Sequence, residues 1–414
     1  MPTSTYIAEH QPETVAFLQS LVQIATVNPP GERYEECVDA LDRRLRGLGM
    51  TTVIIRVPDA VVANTLPDAA GLPRYNLIGR WDVGAPKTLH FNAHYDVVPV
   101  SGEWKYGPFN PEVSDGWIYG RGSSDMKGSM ASLCAALEAV RAENITPNVN
   151  IEVSFTADEE VGGELGAGYI VREGLVSPDY AIECEGGGKD NIGYGHNGVL
   201  WFQVNVHGKA AHAARPEKGI NAFEGAAAIV GALQPLKKTL GKRSFAPQGA
   251  KPMHPTMNVG GVFGGGPGPK VNTVPSEAWF TIDRRIVPSE KLKDAEREML
   301  KALRDAKTKV PRVKMDVDVF QRIDPCVSDS ASEFHAQFAD AVRATRRRKP
   351  KLSVTPGFTD LHWFVHDLGL PGIGYGPGGE GGHGMDERAK IEDLISTAQV
   401  YARFMETFSP SADA

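Results

Sequence analysis

A chain of 414 residues is too long for one small core and predicts about two domains. With 41% hydrophobic and 23% charged residues it has the composition of a globular protein, and a formal net charge of −7 argues against a nucleic-acid binder. The four cysteines (Cys37, Cys134, Cys184, Cys326) show no Cys-x-x-Cys spacing, which fits reduced thiols in a cytoplasmic protein. Residues 1–11 lack the basic start and apolar core of a signal peptide, and no apolar run approaches the ~18 residues of a membrane span. The basic run Arg346-Arg347-Arg348-Lys349 reads as a solvated helix end before Pro350. Neither a nucleic acid nor a membrane is therefore expected as a partner.

In chain order, an amphipathic helix is predicted over 14–24, stopped by Asn28-Pro29-Pro30-Gly31. A second helix follows over 34–48, then strands over 51–57, 76–81 and 88–93. Residues 126–142 carry Met130, Leu133, Cys134, Leu137 and Val140 along one helical face. Val149, Ile151, Val153 and Phe155 alternate as a strand that ends at an acidic cluster. This alternation predicts an α/β domain with a mostly parallel sheet flanked by helices, formed by residues 1–197 and 323–414. The middle, 198–322, differs: strands at 200–206, 256–262, 278–285 and 313–320, with helices at 221–236 and 289–306, give the order β-α-β-β-α-β of an inserted domain. The final residues 409–414 are small and polar and are expected to be disordered.

Candidate site residues fall where predicted strands run out, the end at which open α/β sheets bind ligands. His94-Tyr95-Asp96 places an imidazole two residues from a carboxylate that would orient its second ring nitrogen. Asp125 follows Gly120-Arg121-Gly122-Ser123-Ser124 and precedes a helix, where it serves either as an ordinary cap or as a carboxylate shared by two cations. Asp158-Glu159-Glu160 is either a solvated acidic turn or a pair in which a cation takes one carboxylate and leaves the other to move protons. Glu185 ends a strand over 180–182, with Glu183 as its competitor, and His383 lies in the glycine-rich stretch Gly381-Gly382-His383-Gly384. Two imidazoles and several carboxylates, with no cysteine among them, suit a pair of divalent cations such as zinc.

The motifs Asn92-Ala93-His94-Tyr95-Asp96-Val97-Val98-Pro99, Tyr119 through Gly128 and Asp158-Glu159-Glu160, in that order, resemble the co-catalytic di-zinc deacylases and peptidases. That family includes acetylornithine deacetylase, succinyl-diaminopimelate desuccinylase, aminoacylase and carboxypeptidase G. The resemblance implies two Zn2+ per subunit, with Co2+ or Mn2+ as substitutes. His94, Asp125 and Glu185 would hold one ion, and Asp125, Glu160 and His383 the other. Glu159 would be the general base and acid, Asp96 its neighbour behind the ligands, and the Asp125-Met126 peptide would be cis. The inserted domain would be a lid through which a homodimer forms. Its Gly208-Lys209-Ala210-Ala211-His212 motif would bring His212 to the oxyanion, while Asn272 and Arg285 would grip a substrate carboxylate, with Arg284 the competitor for Arg285.

Gly357-Phe358-Thr359-Asp360 is similar to a family substrate loop, with Gly357 and Thr359 as expected contacts. Phe358 departs from a family glycine and leaves the pocket shape open, and the loop differs from that of the desuccinylase branch. The resemblance implies metal-dependent hydrolysis of the amide bond of an N-acyl amino acid bearing a free carboxylate. The alternative on the same site is a dipeptidase or glutamate-type carboxypeptidase. A catalytically dead binding module is disfavoured by the intact Glu159, His212 and ligand positions.

Overall fold

The computed structural model describes residues 2–186, 188, 190–266 and 270–411. The chain folds into two compact units, one of Met1–Gly195, Val327–Ser353 and Thr359–Ala414, the other of His196–Cys326 and Val354–Phe358. The segment 354–358 thus joins the inserted unit, which the expected boundary at 322 did not include.

The first unit is built on a sheet whose strands include β1 (Thr51–Arg56), β2 (Tyr75–Trp81), β3 (Thr88–His94), β4 (Asn150–Thr156) and β5 (Tyr180–Glu183). Their spatial order is β1-β2-β4-β3-β5, followed by the short strand Gly372–Gly374. The centre is parallel, β4 with β3, β3 with β5, and β5 with Gly372–Gly374, whereas β1-β2 and β2-β4 are antiparallel. Leu89, Phe91 and Ala93 on β3 and Ile151, Val153 and Phe155 on β4 are buried in the main core. Against them pack helices Lys127–Ala142 and Ile391–Thr407. Their close approach needs Gly128, where a Cβ would meet the Ser123 carbonyl at 2.4 Å and Leu394 at 2.9 Å. A further helix, Pro2–Glu9, precedes the elements read from sequence.

The second unit is an antiparallel sheet in the order Thr256–Gly265, Glu277–Ile286, Gly198–His207, Lys314–Ile323. Buried Phe202, Val204, Phe280 and Ile282 meet Ala226, Ile229, Met299 and Leu303 of the covering helices. The predicted helix over 221–236 is two helices, Ala222–Ala232 and Gln234–Leu240. Pro235 explains the break, because it has no N–H to continue the ladder and is favoured in a first turn.

Among the described residues no helix is long and apolar enough to cross a membrane. All four cysteines are free and buried. The expected disorder at 409–414 falls partly on 412–414, which lie outside the described residues.

Candidate metal centre

Strand ends place the first side chains. His94 is the last residue of β3, and its Nδ1 lies 3.1 Å from the Asp96 carbonyl and 3.5 Å from the Asp96 carboxylate. Asp96 in turn accepts the Glu159 and Glu160 backbone N–H groups at 3.2 and 3.3 Å, so one carboxylate orients both the imidazole and the acidic turn. Asp158, in the left-handed region at φ 63°, precedes that turn. Its buried carboxylate accepts from Arg74 Nε at 2.6 Å, Tyr34 OH at 2.7 Å and Asn28 Nδ2 at 3.0 Å. Burial pushes Asp158 up to about 6, and the Arg74 guanidinium works against that rise.

Asp125 sits on the loop before helix Lys127–Ala142, and the Asp125-Met126 peptide is cis. Glu387, fully buried, holds this loop. It accepts from Arg121 Nη1, from the Gly122, Ser124 and Asp125 N–H groups at 3.0 Å each, and from Ser124 Oγ at 3.1 Å. Arg121 Nη2 also donates to the Gly384 carbonyl at 3.0 Å, so the loops bearing Asp125 and His383 are tied together. His383 itself has φ 60°, and its Nε2 lies 3.2 Å from Asp125 Oδ2 and 3.1 Å from Glu160 Oε2.

Among the described residues, three groups of side chains have donor atoms within 4.8 Å of one another: His94, Asp125 and Glu185; Asp125, Glu160 and His383; and His94, Glu159 and Glu160. The first two are the sets that the resemblance implies, with Asp125 common to both. Among the described residues, buried Glu160 Oε1 and Glu185 Oε2 have no hydrogen-bond partner, and His94 Nε2 faces the carboxylates of Asp125, Glu159 and Glu185 at 3.4, 3.8 and 3.9 Å. Orphaned polar atoms of this kind are costly unless something satisfies them. The nitrogen and oxygen donors, without sulfur, fit zinc, cobalt or manganese.

The electrostatics point the same way. Burial, then the charges of neighbouring carboxylates, pushes Glu159 and Glu185 well above the usual range, and burial raises Glu160 as well. Hydrogen bonds from His383 and His94 hold Asp125 below its usual value despite its burial. Hydrogen bonds to Asp125 and Glu160 lift His383 to about 10. Such a crowd of carboxylates is the arrangement that a cation neutralises.

The remaining expected residues are distributed as follows. Glu183 points to Asn92, whose Nδ2 donates to its Oε2 at 2.8 Å, and only Glu185 joins a ligand group. In the second unit His212 is exposed and pairs across its short strand with Thr273, next to Asn272. Arg284 is fully buried and bound to Glu290 at 2.7 Å, whereas Arg285 is partly exposed and held by Asp283 through contacts of 2.9, 3.0 and 3.2 Å. Gly357, Phe358 and Thr359 are half-buried, and Phe358 belongs to none of the core clusters. Sequence reasoning missed Glu387 and Arg74. Glu387 stood in plain view four residues after His383, but nothing local reveals which backbone amides it meets.

Residues 90–407 match the profile described as Peptidase family M20/M25/M40. The chain belongs to this family. Among its relatives, an uncharacterised metallohydrolase of Methanocaldococcus jannaschii is 25% identical over 95% of this chain and 99% of its own length. A succinyl-diaminopimelate desuccinylase of Methylorubrum extorquens is 27% identical over 97% of this chain and all (100%) of its own. The M20 metallo-carboxypeptidase Sso-CP2 of Sulfolobus solfataricus shares the fold with a TM-score of 0.77, at 21% identity, over 95% of this chain and 98% of that one. The di-peptidase Dug1p of Saccharomyces cerevisiae also reaches 0.77, at 17% identity, covering 98% and 97%. This M20 chain is therefore a metallohydrolase with the α/β architecture of its family.

Proposed function

We propose that this M20 protein hydrolyses the amide bond of an N-acyl amino acid with a free carboxylate, using two zinc ions, with cobalt or manganese as substitutes. The observation that carries this is the convergence of His94, Asp125, Glu160, Glu185 and His383 into two ligand groups sharing Asp125. Cations bound there would supply Lewis acidity and make the attacking water easier to deprotonate. Glu159, outside both groups and with its proton affinity raised by burial, takes the proton from water and returns it to the leaving amine. Asp96 holds His94 and the Glu159 amide in register for this transfer.

The second unit, as lid and dimerisation domain, would contribute His212 as a donor to the developing oxyanion. Arg285 and Asn272, with Gly357 and Thr359, would hold the substrate carboxylate. Free buried cysteines suit a cytoplasmic setting. Similarity to a carboxypeptidase and a di-peptidase of known structure favours a second reading, cleavage of a short peptide on the same site. Assaying zinc- and cobalt-loaded protein on matched acetyl-amino acids and dipeptides separates the two. A preference for dipeptides would overturn the deacylase reading, and inactivity on every substrate would overturn both.

A further inference from the structure

One face of the central sheet is polar where a parallel sheet is normally apolar on both sides. β3 and β4 lie in parallel register, His90 opposite Glu152, Asn92 opposite Ser154, and His94 opposite Thr156. Asn92 is also opposite Glu183 on β5. Side chains alternate along a strand, so these residues share a face. All are buried, and the ring of His90 packs on Phe364.

A continuous hydrogen-bond chain runs along that face. Arg80 Nε donates to Glu152 at 2.8 Å, and the other Glu152 oxygen lies 2.9 Å from His90 Nδ1. His90 Nε2 is 2.8 Å from Ser154 Oγ, which donates to Asn92 Oδ1. Asn92 Nδ2 donates to Glu183 at 2.8 Å and to Asp360 at 3.4 Å. The direction of these bonds follows from proton counting. With the amide N–H groups spent on carboxylates, Asn92 Oδ1 accepts, Ser154 spends its only proton on it, and Ser154 must accept from His90 Nε2–H. Nδ1 faces the Glu152 carboxylate at 2.9 Å, so both ring nitrogens of His90 are engaged in the chain.

We propose that His90 is a positioning residue for the metal centre, fixing through Ser154 and Asn92 the carboxylates of Glu183 and Asp360 that lie behind the ligands. A buried polar cluster is commonly no more stabilising than apolar side chains of similar size, so stability alone gives little reason for this one. Such a network holds the groups it joins, here one oxygen of Glu183, the other being without a partner among the described residues. What it touches matters here, because Glu183 stands two residues before Glu185, and Asp360 also accepts at 3.4 Å from Thr156, the residue opposite His94. The role rests on the proposed hydrolase reading for its kinetic consequence but not for its structural one.

The test uses His90→Phe and Ser154→Ala in the full-length holoenzyme. Loss of a partner behind a metal ligand typically costs 10–100-fold, so we expect kcat to fall at least about tenfold with KM and metal content unchanged. The visible spectrum of the cobalt-loaded variants should shift. An unchanged cobalt spectrum in both variants, or kcat within about twofold of the parent in folded Ser154→Ala, would overturn the proposal. Should the parent hydrolyse nothing, the functional reading fails, while the cobalt spectra still decide the positioning role.

Discussion

The Glu387 carboxylate accepts the backbone N–H of Asp125 at 3.0 Å, together with those of Gly122 and Ser124. A buried acid thereby sets the path of the loop carrying the carboxylate common to both ligand groups. Since Arg121 neutralises Glu387 and reaches the Gly384 carbonyl, the same contacts position His383. Glu387→Ala leaves the buried Gly122 N–H and the part-buried Ser124 and Asp125 N–H groups without this acceptor, at a cost of about 1–3 kcal/mol for the buried one. We expect a metal-binding affinity at least about tenfold weaker, in line with other residues that support ligands. Isothermal titration of the apoprotein with zinc checks this; unchanged affinity would assign Glu387 to folding alone.

Glu159→Gln keeps the side chain's size and removes its capacity to take a proton. General-base loss commonly costs about 10²–10⁴-fold in rate, and we expect kcat to fall in that range with metal content intact. Elemental analysis beside steady-state kinetics reads both quantities. A metal-replete variant with near-parental turnover would transfer the proton-handling role elsewhere.

Asp283 occupies the Nε and Nη2 N–H groups of Arg285 and so competes with a substrate carboxylate for the guanidinium. Asp283→Asn removes the competing charge and should lower KM for carboxylate substrates a few-fold with little change in kcat. Opposite behaviour, a higher KM, would mean that Asp283 holds Arg285 in its working position.

His335, in the first turn of helix Glu333–Arg346, is pushed down to about 4 by burial from an ordinary value of 6.5. The unfolded chain therefore binds more protons between those values. Stability is complete above pH 6.5 and falls as the pH drops towards 4, by on the order of 3 kcal/mol for this group. Urea midpoints at pH 7.5 and 5.0 should differ less in His335→Leu than in the parent; equal differences would show that His335 does not titrate on unfolding.

Much of the fold was legible because alternation and helical periodicity are local. β3 and β4 were expected at 88–93 and 149–155 and occupy Thr88–His94 and Asn150–Thr156. The antiparallel pairing of β2 with both neighbours was not legible, since strand order depends on contacts distant in sequence. The break at Pro235 was missed because alanine-rich periodicity outweighed a residue that only starts a helix.

Sequence alone determined which residue types stand at the strand ends, and ordered motifs there were enough to indicate a metal-type site. Tertiary structure decided which of those side chains meet. Glu185 rather than Glu183 joins the ligand groups, because Asn92 draws Glu183 along the sheet face. Arg284 is spent inside the second unit while Arg285 stays on its surface, paired with Asp283. Glu387 acquires its role only when residues about 260 apart come into contact. Local patterns report where a side chain leaves the backbone; long-range packing selects its partner, because burial leaves few partners able to satisfy each polar atom.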